Sequence, residues 1–249
     1  MPTTHTANRQ PIPILVYHQI APAPPKGSPF RSLYVAPEAF ARQMAGLRLL
    51  GYRGLSMGAL QPYLRGEKEG KVVGITFDDG FANNLTHALP ALARQGFSST
   101  CYAVSGLLGQ TNVWDAHLGI APSPLMTAAQ LHQWVAGGQE VGSHTHTHLD
   151  LTAHDARAAR ADMAQGKAAL DALLGQPVAH FCYPYGRHDA SHRAMAQALG
   201  FASATTTQRG RCHAGADPLA LPRVPVLRST SLPVFWLKVA TGYEDGRRA

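Results

Sequence analysis

Short apolar runs alternate along this chain with longer stretches in which apolar residues recur every three or four positions. Runs at 12–18, 72–77, 98–104, 140–143, 178–183, 201–205 and 222–227 have strand length and strand composition. The stretches 37–50, 83–95, 127–135, 155–174, 191–199 and 231–240 predict helices. In the first of these Phe40, Met44, Leu47 and Leu50 fall near one face. Residues 155–174 are Ala-rich and strongly helix-forming. Pro90 is placed to kink or divide the helix it sits in. From Gly242 onward the pattern predicts an exposed tail.

Strand–helix alternation over most of the chain argues for a parallel α/β architecture. A doubly wound sheet and a barrel both satisfy it. The placement of polar residues favours the barrel. His18, the pair Asp78-Asp79, His144 with His148, and Pro184-Tyr185-Gly186 each follow a different predicted strand. In a barrel those strand ends converge on one face, where active sites are built. An open sheet would string them along a line.

Two of these segments carry distinctive chemistry. Thr76-Phe77-Asp78-Asp79-Gly80 puts adjacent carboxylates at the end of an apolar run. His144-Thr145-His146-Thr147-His148 puts imidazoles two and four residues apart after another. One carboxylate and two imidazoles make a three-ligand set for a divalent metal with a position left for water. The remaining carboxylate is then free to act as a base. Each half has a plain alternative: Asp-Asp-Gly suits a turn, and a His-rich tract suits a solvated surface. Their joint placement after strands is the stronger signal.

The 249 residues read as one domain, 1–249, with flexible residues 1–10 and a tail at 242–249. Hydrophobic residues make up 45% and charged residues 15%, enough for a sizeable core. The net charge of +7 and a pI near 9.6 favour anionic partners. No basic cluster is interleaved with aromatics, which argues against nucleic acid. Peripheral contact with an anionic membrane surface, a phosphorylated substrate or a generally basic surface would each account for the charge. Cys101, Cys182 and Cys212 are far apart and odd in number, so they read as free thiols. No run has signal-peptide or membrane-span character, and the chain reads as cytoplasmic; a chain relieved of a leader would read the same. The oligomeric state is not legible.

The motifs Thr76–Gly80, Ser143–His148 and Tyr183-Pro184-Tyr185-Gly186, in this order and spacing, resemble the polysaccharide deacetylases, carbohydrate esterase family 4 or the NodB homology domain. The resemblance runs from about Ile14 to Leu227. It implies a distorted (β/α)7-type barrel and metal-dependent N-deacetylation of N-acetylated sugars. It further implies Asp78 as catalytic base, Asp79, His144 and His148 as metal ligands, and the Tyr185 backbone N–H as donor to the oxyanion. Tyr183 and Pro184 fall in the motif that lines the substrate groove. His146 falls at a variable position and is expected to face solvent.

Many members place an arginine three residues before that tyrosine, paired with the base; here the position is Cys182. The segment Cys182–Gly186 instead resembles the branch that includes poly-N-acetylglucosamine deacetylases. That branch carries an N-terminal Tyr-His motif, matched by Tyr17-His18, whose histidine is the general acid. The more common Leu-x-His motif near the C-terminus is absent, and Leu221-Pro222-Arg223-Val224-Pro225 stands in its region. His18 is therefore the expected acid, against a plain role capping the first strand. Arg223 either replaces the missing arginine and orients Asp78 or is an ordinary surface or ion-pair residue. Trp114 and Asp115, in a loop, either contact sugar or pack.

The implied cofactor is one divalent ion, Zn2+ by ligand type, with Co2+, Ni2+ or Fe2+ also suited to imidazole and carboxylate. The implied partner is an N-acetylated glycan or a lipid-linked amino sugar. Two rivals stand beside this reading. One is a hydrolase of another non-peptide C–N bond, such as a cyclic amide. The other is a non-catalytic metal- or glycan-binding module, against which the presence of Asp78 argues.

Overall fold

The computed structural model describes residues 10–247. The expected flexible segment 1–10 therefore lies outside the described residues except for Gln10. In chain order the elements begin with β1 (Ile14–Tyr17), a small pair β2 (Gln19–Ile20) and β3 (Tyr34–Val35), and α1 (Pro37–Leu49). β4 (Arg53–Leu55), α2 (Met57–Leu64) and β5 (Val72–Phe77) follow. A π-helical turn, Asn84–Ala88, leads into α3 (Leu89–Gln95) and β6 (Thr100–Ala103). Then come α4 (Ala128–Ala136), β7 (Glu140–Ser143), α5 (Ala156–Leu174), β8 (His180–Cys182), α6 (Ala190–Ala198), β9 (Ser203–Arg209), β10 (Leu221–Pro225) and α7 (Leu232–Ala240).

Seven of the strands close a parallel ring in the order β1-β5-β6-β7-β8-β9-β10 and back to β1. This is the (β/α)7-type barrel that the family resemblance implied. β4 adds an eighth strand only low on β5, opposite Val72, Val73 and Gly74. Higher up, Thr76 and Phe77 of β5 pair directly with β6, so the ring closes on seven at its C-terminal rim. β2, β3, β4 and α2 have no counterpart in the sequence pattern. The strands are two or three residues long, too short to show a period, and α2 contains Pro62.

Where the pattern was long it read well. Thr127 caps α4 in a reciprocal capping box with Gln130, and Asp155 caps α5. Pro90 divides its helix as anticipated: it sits in the first turn of α3, and the chain before it takes the wider π turn. The exposed tail at 242–247 is a correction. Glu244 is fully buried, with Arg209 Nε at 2.6 Å and Lys238 Nζ at 2.8 Å, and Asp245 holds Arg211 at 2.8 Å. A buried carboxylate needs such partners, and Arg209 and Lys238 supply them for Glu244.

The alternation of side chains along each strand sorts the barrel's interior from its exterior. Leu15, Tyr17, Val73, Ile75, Phe77, Cys101 and Ala103 pack outward against the helices in the main core. Ile14, Val72, Tyr102, Cys182 and Leu221 turn inward and meet Met57 and Leu60 of α2. By the same alternation Thr76 and Asp78 continue the inward face of β5. Below, at the strands' starts, Glu140 and His180 (3.5 Å) form a polar layer with Ser203 and with the first backbone N–H groups of α2.

Candidate active site

His18, Asp78, Asp79 and His144 extend barrel strands by one or two positions, His148 and Tyr185 lie farther along the loops after β7 and β8, and Arg223 lies within β10. The Asp78 N–H still bonds the Tyr17 carbonyl (3.0 Å), and the His144 N–H bonds Ala103 (3.0 Å). The chain then breaks from the ladder through left-handed backbone. Among the described residues five non-glycine residues have positive φ: Phe30, Asp79, Thr145, His148 and Tyr185. Four of the five belong to the candidate site. Such conformations cost free energy and persist where the surroundings over-determine them, a signature of sites.

Asp79 Oδ1 lies 3.4 Å from His144 Nε2 and 3.4 Å from His148 Nε2. The three ligand atoms are mutually within 4.8 Å, and all three side chains are buried. His144 Nδ1 donates to the Cys182 carbonyl (2.8 Å), which leaves Nε2 as the ring nitrogen facing Asp79. The donor set is two imidazoles and one carboxylate, suited to a Zn2+-class ion with a coordination position open. Burial alone would raise the Asp79 carboxyl, but its bonds to the two imidazoles hold it well below the ordinary range.

Asp78 faces a different partner. Arg223 NH1 reaches its Oδ1 at 2.6 Å and NH2 its Oδ2 at 2.7 Å, a bidentate pair with the guanidinium 1% exposed. Arg223 spends its other donors on the Thr206 carbonyl (2.9 Å), Thr76 Oγ1 (3.1 Å) and Cys182 Sγ (3.3 Å). The reading of Arg223 as an ordinary surface residue is thereby excluded. Burial pushes the Asp78 carboxyl up, but the Arg223 charge and hydrogen bonds outweigh it, and the net shift is down. Asp78 is held ionised. His18 Nε2 lies 4.0 Å from Asp78 Oδ2, at the open side of the carboxylate. His18 is itself fixed by Asn84, whose Nδ2 donates to the His18 carbonyl (2.8 Å) and whose Oδ1 accepts from the Ile20 N–H (3.2 Å).

A single cleft is lined by His18, Asp78, Asp79, His144, His148 and Tyr185, with Trp114 and Asp115 at its side. Trp114 stacks on the His148 ring (centroids 4.3 Å apart, planes at 19°), and Tyr185 meets the same ring edge-on at 4.8 Å. Tyr183 is among the residues that line the cleft, as expected, whereas Pro184 is not, which corrects the expectation for it. Both are buried; the Tyr183 ring stacks on His188 and its hydroxyl donates to the Leu219 carbonyl (3.0 Å). Neither offers a free polar group to a ligand. His146 also departs from expectation: it is half-buried, with Nδ1 2.9 Å from Ser105 Oγ.

Three residues that the sequence pattern did not single out build the site from behind. Asp162 of α5 accepts from the His146 N–H (2.8 Å), the Thr147 N–H (3.2 Å) and Thr147 Oγ1 (2.8 Å), fixing the loop that carries both candidate histidine ligands. One helical turn on, Gly166 lets that loop lie against the helix; a Cβ there would sit 2.6 Å from the Thr145 carbonyl carbon. Asn84 is the third. An Asp and a Gly four apart on one face of an Ala-rich helix were the available signal, but i,i+4 spacing names no partner.

Residues 65–204 match the polysaccharide deacetylase family. The chain is 29% identical to YxkH of Bacillus subtilis, named for the same family, over 226 residues (90% of this chain and 74% of that protein). Among solved structures it is similar to the Streptococcus pyogenes deacetylase PplD in complex with acetate, with 27% identity, a TM-score of 0.81, and coverage of 93% of this chain and 99% of that one. It is also similar to IcaB from Ammonifex degensii, with 26% identity, a TM-score of 0.78, and coverage of 92% and 97%. With the family matched over more than half its length and the barrel shared with deacetylases end to end, this chain belongs to the polysaccharide deacetylase family.

Proposed function

We propose that the protein is a metal-dependent N-deacetylase that hydrolyses the acetamido group of an N-acetylhexosamine in a polysaccharide, an oligosaccharide or a lipid-linked sugar. The observation that carries this reading is the division of labour between adjacent carboxylates. Asp79 joins two imidazoles in a ligand set, while Asp78 is kept ionised and apart by Arg223. A binding module has no use for the second arrangement.

A divalent ion held by Asp79, His144 and His148 would supply Lewis-acid polarisation of the amide carbonyl and a water of lowered pKa. Asp78 accepts the proton of the attacking water. Its depressed pKa makes it a weak base, which suits a water that is already acidified. Arg223 holds both carboxylate oxygens in place and leaves their outward lone pairs free. The Tyr185 backbone N–H, turned by its left-handed φ of 58°, donates to the oxyanion that develops on the carbonyl oxygen. His18 delivers a proton to the leaving amine, and the C–N bond breaks to give acetate and a free amino sugar. The complex of PplD with acetate supports a product of this class in the fold.

Acetate release from purified protein tests the reading. The panel is poly-N-acetylglucosamine, chitooligosaccharides and a lipid-linked N-acetylhexosamine, each with and without chelator. Chelator-sensitive release from at least one is expected. Activity on a cyclic amide with none on the panel would replace the reading by the rival hydrolase.

A further inference from the structure

The Tyr185 turn and the Trp114 loop follow β8 and β6, strands separated in the ring by β7. They meet over His148, in the loop that follows β7. Trp114 lies flat on the His148 ring, and Tyr185 abuts the same ring. One hydrogen bond closes the bridge: the Tyr185 hydroxyl donates to Asp115 Oδ1 at 3.1 Å. Tyr185 has left-handed backbone (φ 58°, ψ 3°), which a residue with a Cβ adopts only under constraint. From behind, Thr207 Oγ1 donates to the Tyr185 carbonyl (3.2 Å). From in front, the only tie to the β6 loop given by a hydrogen bond of this side chain is Asp115. Arg187 lies 5.5 Å from the Tyr185 ring and pairs with Asp150, on the same segment as His148.

We propose that Asp115 is a positioning residue: by accepting the Tyr185 hydroxyl it clamps the Trp114 loop and the Tyr185 turn across His148, and so holds the Tyr185 backbone N–H in its place at the oxyanion. The proposal rests on the deacetylase reading for the second part and on geometry for the first. The hydrogen bond of the Asp115 side chain goes to Tyr185, and its ion pairs and hydrogen bonds include none of the candidate ligand atoms. Its effect runs through Tyr185, so its loss should lower kcat more than it raises KM.

Two measurements test it. The first is acetate release by wild type, Asp115→Ala, Asp115→Asn, Tyr185→Phe and the double variant Asp115→Ala/Tyr185→Phe. Asp115→Ala and Tyr185→Phe should each lose about tenfold in kcat, and the double variant no more than either alone. Asp115→Asn keeps an acceptor oxygen and should stay within about twofold of wild type. Additive losses, or Asp115→Asn as impaired as Asp115→Ala, would overturn the proposal. The second measurement needs no turnover. Bound Co2+ should quench the Trp114 fluorescence, assigned by difference from Trp114→Phe, and quench it less in Asp115→Ala and Tyr185→Phe at equal cobalt content. Unchanged quenching in both would overturn the clamp whatever the substrate. Wild type without acetate release on any panel member would instead overturn the deacetylase reading, with the quenching still deciding the clamp.

Discussion

Arg223 and Asp78 stand 145 residues apart in the chain and face each other inside the barrel, joined by hydrogen bonds of 2.6 and 2.7 Å. The arginine comes from β10, where the pairing with β9 is irregular. Leu221 pairs with Thr205 and Arg223 with Arg209, two residues apart on one strand and four on the other. The surplus on β9 turns the Thr206 carbonyl onto Arg223 Nε. The bulge thus completes the cradle that aims the guanidinium at Asp78. Cys182 stands where many family members have arginine, and its sulfur lies 3.3 Å from Arg223 NH2. We propose that Arg223 supplies from β10 the charge that the family resemblance leads one to expect at that position.

Removing that charge should cost both stability and rate. Arg223→Ala strands a buried carboxylate and is expected to destabilise by about 3–5 kcal/mol. Arg223→Lys keeps the charge but loses the two-point geometry. It should fold and still lose about tenfold or more in kcat. Denaturant unfolding together with acetate-release kinetics checks both, and Arg223→Lys at full activity would show that charge alone suffices.

Asp78→Asn should keep stoichiometric metal and lose ~10²–10⁴-fold in deacetylation, because the amide cannot accept the water's proton. Metal analysis beside kinetics separates the roles of the two carboxylates. Rates within a few-fold of wild type with metal retained would remove Asp78 as the base.

For His18 the discriminating substrates are a sugar amide and an activated acetate ester. The amine leaving group needs a proton and the ester's does not. His18→Ala should therefore lose far more on the amide. An equal loss on both would assign His18 a structural role near Asp78, from which its Nε2 lies 4.0 Å.

The candidate metal site predicts the behaviour of three further variants. Asp79→Ala or His144→Ala should abolish stoichiometric metal binding outright. Gly166→Ala should weaken it without touching a ligand, since the added methyl must displace the Thr145–His146 backbone. A loss of about 1–3 kcal/mol in stability should accompany it. Metal titration of the chelator-stripped protein measures both, and unchanged affinity in Gly166→Ala would show that the loop yields freely.

At the opposite end of the barrel His180 gives a pH dependence with a definite sign. Burial depresses its imidazolium, and the Glu140 charge opposes this only in part. Its folded pKa thus lies below the unfolded value of about 6.5. The unfolded chain binds the extra proton, so this stability is present above about pH 6.5 and is lost as pH falls toward the folded pKa. In chelator-stripped protein the thermal midpoint should drop between pH 7.5 and 5.5, and His180→Gln should flatten the drop. An identical slope in both proteins would clear His180 of the effect.

No helix among the described residues is long and apolar enough to cross a membrane. The charge of +7 leaves contact with an anionic surface, or a phosphate on the substrate, as parts of the substrate question that the panel addresses.

Local pattern determined the barrel strands, the longer helices, and the segments that follow each strand. A short apolar run is a property of neighbouring residues, so it marked β5 and placed Asp78 and Asp79 at its end. Helical spacing did the same for α1, α4 and α5. The cluster of Asp79 with His144 and His148 followed once parallel strands were assumed to share a rim. Tertiary structure alone decided what acts on those groups. That Arg223 points inward depends on a bulge in the partner strand; that Tyr183 turns its hydroxyl to Leu219 depends on packing beneath β8. Asn84, Asp162, Gly166 and Asp115 matter because each meets a backbone or side chain from another element, and Glu244 is buried because distant cations surround it. Such contacts join residues as much as 145 positions apart. A sequence pattern records the period of one element, and which partner closes over it is settled only when all the elements pack.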